Sequence, residues 1–495
     1  MFGPGKLRLV CGRLGAGFGV INVNKPSLQA ALAGVLFLTI ASATLLSLEY
    51  NVSPGIAFLP IIGAVAVAYI VIRVPEALVV AVLFMPQWKV YWPLTYVPSS
   101  IDLTIVALAC LVACLLFRVL CHFARLDSWG IAQVFAGQGK VLLGHFMFAA
   151  IVAASYLYTS APEYGASKLS RFLGIGSLLL LAPLFLIRTT DDFRRFAKLF
   201  VASSAFTAVL LIAGLEVHNT SGDITRIGAG WLVGMGMIVL FFYPLFKSES
   251  TQWLFVFAAT PLFVVGLVAS AARGPIVVIV LMGVIRLAMW FREGKGHMAS
   301  LLVLLIVAGG VVAFSVFRGV GEGKYEHKTE ELVNLLEGNS TEGSATIRLG
   351  YYESTLAAIP DAPVLGRGIG SWSVFYYRYD ERAYPHNILL EVAFEQGLLG
   401  LSLLGLFLFW VSQSIVWLWK RTGLQYAVLG LMILYCLGVA MFSGDLDDNR
   451  LLWFWVGMTL AICRTVKLQE CVHVPMFALE GRREALAARS FRLNS

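Results

Sequence analysis

Apolar runs about as long as a bilayer-crossing helix recur along this chain, and one polar stretch, 318–387, interrupts them. A helix needs about 20 apolar residues to cross roughly 30 Å of hydrocarbon. Within that layer each backbone polar group must be satisfied by its own segment or by a closed barrel. The runs are continuous and do not alternate, which excludes barrel strands. The expected fold class is therefore all-α: a polytopic transmembrane helical bundle of about 12–14 spans, with one large outer loop containing short helices. Composition agrees, since 59% of the 495 residues are hydrophobic and only 13% are charged. A soluble domain carries about 25% charged residues.

Candidate spans fall at 28–48, 54–72, 77–97, 101–120, 141–159, 171–188, 197–216, 227–246, 253–271, 274–291, 299–317, 388–412, 425–443 and 450–464. The expected organisation is an N-terminal cytoplasmic tail 1–27, transmembrane helices 28–317, the outer loop 318–387, C-terminal transmembrane helices 388–464 and a cytoplasmic tail 465–495. The apolar run after residue 27 is too long for a signal-peptide core and reads as a retained first span. Basic residues set the orientation: Arg188, Arg194, Arg195, Lys198, Arg286, Arg292, Lys420 and Arg421 then all face the cytoplasm, as the positive-inside bias requires. Most of the +8 formal charge is that bias, so it does not point to nucleic acid. The weakest span is 77–97, where Lys89 interrupts an aromatic cluster of Trp88, Tyr91, Trp92 and Tyr96. Seven cysteines without a CxxC indicate neither a disulfide framework nor a zinc site.

The long loop is the expected place for chemistry. Glu330 to Glu337 and Ala345 to Ile359 read as short helices, the second ending at Pro360. Pro363 and the series Gly366, Gly368, Gly370 then force an irregular turn. The loop closes on Ala383-Tyr384-Pro385-His386-Asn387, with His386 at the boundary of the next span. A histidine is mostly neutral at pH 7 and can accept a proton from a hydroxyl. Arginine cannot lose its charge, and its planar fork binds phosphate oxygens in pairs.

Arg273, in Ala271-Ala272-Arg273-Gly274-Pro275, sits in a tight connection between two apolar spans, where a guanidinium either marks the span end or meets an anion. Arg226 opens another span from the outer side, with Asp223 as its alternative partner. Arg348 lies on the loop helix, while Arg367, Arg378 and Arg382 read as solvated loop charges. Glu391 and Glu395 stand one turn apart inside an apolar run, a placement that suits a polar cavity. Glu391 is expected to orient the histidine or an arginine. Trp372, Phe375, Tyr376, Tyr377, Tyr379 and Tyr384 read as an interfacial belt or as a stacking surface for sugars. Asp445, Asp447 and Asp448 read as a solvated outer turn, with a divalent cation as the alternative.

Taken together, Arg226, the Ala-Arg-Gly of Arg273, Arg348, Pro363-Val364-Leu365-Gly366-Arg367-Gly368-Ile369-Gly370, and Pro385-His386-Asn387 with Glu391 and Gly397-Leu398-Leu399-Gly400 resemble the O-antigen ligase and polymerase superfamily of bacterial envelopes. The resemblance covers about 226–400. It implies a metal-independent, cofactor-free inverting glycosyltransferase of the inner membrane, with its active site facing the periplasm. The implied donor is an undecaprenyl-diphosphate-linked oligosaccharide or polysaccharide, and the acceptor a glycan or lipid A core. On that pattern Arg226 and Arg273 hold the diphosphate, Arg348 assists, and His386 activates the acceptor hydroxyl. A protein O-oligosaccharyltransferase using the same donor, and a flippase or transporter for it, are the competing expectations. Charges gathered at outer span ends and in one loop favour the enzyme, because transporters place them near mid-membrane between repeats.

Overall fold

The computed structural model describes residues 74–91, 102–123, 131–214, 222–270, 272–292 and 344–472. Its helices are α1 Glu76–Trp88, α2 Leu103–Phe123, α3 Ile131–Val134, α4 Gly139–Ser155, α5 Pro162–Arg171, α6 Ser177–Leu186, α7 Thr190–Ala213, α8 Gly222–Phe242, α9 Glu249–Ala269, α10 Arg273–Arg292, α11 Ser344–Ala358, α12 Ser371–Tyr377, α13 Ile388–Glu395, α14 Gly397–Thr422, α15 Ala427–Ala440 and α16 Arg450–Val472. Among the described residues there is no strand, and seven helical stretches are long and apolar enough to cross a membrane. The chain is a multi-pass helical bundle. The expected spans 28–48, 54–72 and 299–317, the loop helix Glu330 to Glu337, the N-terminal tail and the C-terminal tail beyond 472 lie outside the described residues.

Three expected spans differ in detail. The run at 77–97 is the helix α1, which stops at Trp88, and Lys89 pairs with Asp102 at 2.9 Å just beyond it. The run at 171–188 starts earlier, at Pro162, and α5 passes into α6 through a π turn at Phe172–Gly176. The run at 388–412 breaks between α13 and α14, where Gly397 takes a φ of 67° that an L-residue rarely adopts.

The core of the bundle is α16, whose side chains Trp453, Phe454 and Trp455 are fully buried. It lies tightly on α6, because a side chain at Gly457 would collide with the Leu180 carbonyl. At the other end of the same pair, buried Arg464 donates to the carbonyls of Leu184 and, at 2.6 Å, Ile187. It thereby caps the C-terminal end of α6, whose last carbonyls have no partner within the helix. Helix α7 starts from a capping box between Thr189 and Asp192 and packs along α8 and α9. On the outside, Ile105, Leu116, Val280, Leu281 and Phe409 remain exposed, as a lipid-facing surface requires.

Antiparallel connection brings the α4–α5 turn, the α9–α10 turn, the whole segment 344–396 and the α15–α16 turn to one end of the bundle. The basic residues Arg188, Arg194, Lys247 and Arg421 belong to the opposite end. The segment 344–396 has a small core of its own, in which Trp372, Ala358 and Phe394 are packed against Tyr351, Phe375 and Tyr377. Phe394 comes from α13, so this core is fixed to the bundle and not merely tethered to it.

Candidate functional site

The segment Pro385-His386-Asn387 has a specific local geometry. Asn387 is the N-cap of α13, and its Oδ1 accepts from the backbone N–H groups of Leu389 and Leu390 at 3.0 and 3.2 Å. His386 therefore stands just before the helix, with a φ of 57°. A left-handed backbone at a residue other than glycine costs of order 1–3 kcal/mol and is kept where the surroundings impose it. Here they do. The imidazole stacks on Tyr351 with centroids 6.1 Å apart and planes 14° apart, and Tyr384 lies 4.5 Å away on a tilted plane. The Tyr352 hydroxyl donates to the carbonyls of His386 at 3.4 Å and Met441 at 3.2 Å, tying the loop to the end of α15.

The ring is half-buried, and its Nδ1 is buried with no hydrogen-bond partner among the described residues. Burial, reinforced by the nearby Arg348 guanidinium, pulls the imidazole down to about 4 from its ordinary 6.5. The ring is accordingly neutral across the physiological range, more firmly than the unperturbed value suggests.

The helix ends that carry the expected arginines are joined through contacts of neighbouring residues. Arg348 is half-buried on α11, one turn before Tyr352. Arg226 is half-buried near the start of α8, one turn before Gly230, where a Cβ would lie 3.1 Å from that of Ala272. Arg273 follows and begins α10; its side chain lies outside the described residues. Gly274 backs onto Phe442, with a Cβ there 3.5 Å from that of Phe442, and the preceding Met441 carries the Tyr352 bond. Arg226, Arg273, Arg348 and His386 thus stand on segments whose neighbouring residues touch at one end of the bundle, and among the described residues only Arg348 of these three arginines is seen to act on the His386 ring.

Glu391 is placed differently from the expectation. It makes no hydrogen bond to His386. Its carboxylate pairs with Lys168 of α5 and accepts from the Leu446 N–H at 3.1 Å. Lys168 also donates to both oxygens of Glu395, at 2.8 and 2.7 Å, and all three side chains are buried. The polar environment required by two carboxylates in an apolar run is therefore a lysine on another helix. The signal in the sequence that points to such a partner is the need of Glu391 and Glu395 for a cation.

The acidic turn is not solvated. Asp445 is fully buried, Asp447 nearly so, and the three carboxylates converge within 4.8 Å, close enough for a divalent cation. Protein groups already occupy them. Arg382 reaches Asp448 at 2.5 Å and Asp445 at 3.5 Å, Arg171 reaches Asp447 at 3.3 Å, and the Tyr164 hydroxyl donates to Asp445 at 2.6 Å. Arg382 and Arg367 are likewise not free loop charges, since Arg367 binds Asp361 at 2.6 Å and lies over the rings of Phe375 and Phe394. The aromatic residues divide. Trp372 is buried, with its Nε1 donating to Thr355 at 2.8 Å, whereas Tyr376 and Tyr379 are exposed.

Residues 254–405 match the O-antigen ligase family. This bears out the resemblance to the O-antigen ligase and polymerase superfamily, and the matched stretch contains Arg273, Arg348, His386 and Glu391; Arg226 precedes it. The O-antigen ligase match thus spans α10, the described part of the loop and the α13–α14 break. An uncharacterised protein of Haemophilus influenzae is 25% identical over 297 residues, which cover 54% of this chain and 70% of the relative.

Proposed function

We propose that this protein is an integral-membrane glycosyltransferase of the O-antigen ligase type, acting at the periplasmic face of the bacterial inner membrane. Its donor is a glycan linked to undecaprenyl diphosphate, and its acceptor is a hydroxyl of a glycan or of lipid A core. Arg226, Arg273 and Arg348 hold the diphosphate and offset the charge that grows on it as it departs. His386 takes the proton of the acceptor hydroxyl, whose oxygen attacks the anomeric carbon as the carbon–oxygen bond to the diphosphate breaks. A single displacement inverts that carbon. Guanidinium groups supply the positive charge, so the reaction proceeds without a metal ion or cofactor. Glu391 acts as a positioning residue, tying α13 to α5 and to the acidic turn.

The observation that carries this reading is a neutral, half-buried imidazole next to Arg348, within the stretch that matches the family. Purified protein, reconstituted with lipid-linked glycan and acceptor, tests it. His386→Ala should lower the transfer rate by about 10²–10⁴-fold, the usual contribution of a positioned base, while donor binding persists. Full transfer by His386→Ala would remove the mechanism. A serine-bearing acceptor protein would use the same machinery, and acceptor competition distinguishes it. A flippase would move donor across the bilayer without transfer and without dependence on His386.

A further inference from the structure

A second cationic site lies on a different face of α12 from the one that packs on α11. Ser371, Val374, Phe375 and Arg378 recur at helical spacing along this face and, with Tyr158 and Arg367, line a cavity of about 410 Å³. The neighbouring face, with Trp372 and Tyr376, packs on Tyr351 instead. Arg378 is exposed, and its guanidinium has no acidic partner among the described residues. Arg367 spends one nitrogen on Asp361, but its Nε is buried with no hydrogen-bond partner among the described residues. Among the described residues no carboxylate lines the cavity. Two guanidinium groups facing one space without an acid between them select an anion, and a phosphate fits their paired donors.

The rim says which kind of anion. Leu157, adjacent to the lining residue Tyr158, is 86% exposed, and Leu365, adjacent to the lining residue Gly366, is 52% exposed. Leu398, at the start of the membrane-crossing helix α14, is 53% exposed and donates its N–H to the Pro363 carbonyl beside them. An apolar strip at the end of the spans joins the cationic cavity, a combination suited to an amphiphile. We propose that this cavity binds the phosphate head group of an anionic membrane lipid, with its acyl chains along Leu157, Leu365 and Leu398. Soluble anions would gain nothing from that strip. The proposal depends on the membrane placement of the bundle, not on the transfer reaction.

The test is lipid retention by the full chain in nanodiscs that mix phosphatidylglycerol with phosphatidylcholine, read by native mass spectrometry. Phosphatidylglycerol should be enriched on the protein. Arg378→Gly should reduce that enrichment by about fivefold, the factor for one basic residue at an anionic surface. This variant removes the charge and relieves a backbone φ of 68°, so it folds at least as well as the parent. His386→Ala should leave the enrichment intact, which separates this result from the fate of the transfer mechanism. Equal retention of the two lipids, or unchanged enrichment in Arg378→Gly, would overturn the proposal. Displacement of phosphatidylglycerol by comparable concentrations of inorganic phosphate would also overturn it, assigning the cavity to free anions.

Discussion

Lys168 on α5 donates to both carboxylate oxygens of Glu395 on α13, at 2.8 and 2.7 Å, inside a fully buried site that also holds Glu391. One cation therefore holds together two carboxylates on the helix that follows the histidine.

Removing that cation leaves two buried carboxylates unpaired. Lys168→Met should cost about 3–5 kcal/mol, the usual penalty for breaking a buried pair from one side. Thermal unfolding in detergent will show it as a lowered midpoint. Changing Glu391 and Glu395 to Gln in the same background should restore much of the loss, because no uncompensated charge then remains.

The imidazole of His386 governs the acid side of the pH profile. Burial and Arg348 both disfavour its protonated form, so the active base should persist as pH falls and be lost near pH 4, not near 6.5. Initial transfer rates across pH measure this limb directly. Arg348→Met removes one of these causes and should move the limb to higher pH. The same depression makes the unfolded chain bind the proton first. The stability contributed by His386 is thus complete above about 6.5 and declines as pH falls through about 4.

Asn387 fixes where that ring stands. Asn387→Ala deletes the cap of α13 and should cost about 1 kcal/mol of stability. The rate should fall as well, because His386 is the adjacent residue. Asn387→Asp keeps the accepting oxygen and should retain most of both, as unfolding midpoints and transfer rates measured side by side will reveal.

The acidic turn is the natural place to look for a metal, yet Arg171, Arg382 and Tyr164 occupy its carboxylates. Prolonged dialysis against a chelator should leave transfer unchanged. By contrast, Arg382→Ala exposes buried Asp445 and half-buried Asp448 to mutual repulsion and should lower the unfolding midpoint.

Local patterns carried most of what could be read in advance. The loop helix expected over 345–359 is found at Ser344–Ala358, because Pro360 ends it and its periodicity is local. The crossing helices follow from hydropathy alone, since hydrocarbon leaves the backbone no other choice. The break at Gly397 was not legible, because an apolar run containing a glycine reads as continuous until a left-handed φ interrupts it. Pairings across the fold were also hidden. Lys168 and Glu395 are separated by 227 positions, and Arg382 and Asp448 by 66, so nothing in the local sequence joins them. Of these four, only Glu395 stands at a costly depth by sequence, whereas Arg382 and Asp448 read as solvated charges, and finding each one's partner is a three-dimensional problem. Arg348 and His386 were legible as residue types, but the depressed basicity of the imidazole comes from surroundings that only the assembled bundle provides.

The Tyr352 hydroxyl, shared between the carbonyls of His386 and Met441, is a latch between an extramembrane segment and the tip of a lipid-embedded helix. Through it, a displacement of α15 is conveyed to the backbone of His386. The backbone beneath the imidazole is thus registered against a membrane-crossing stretch by one phenol.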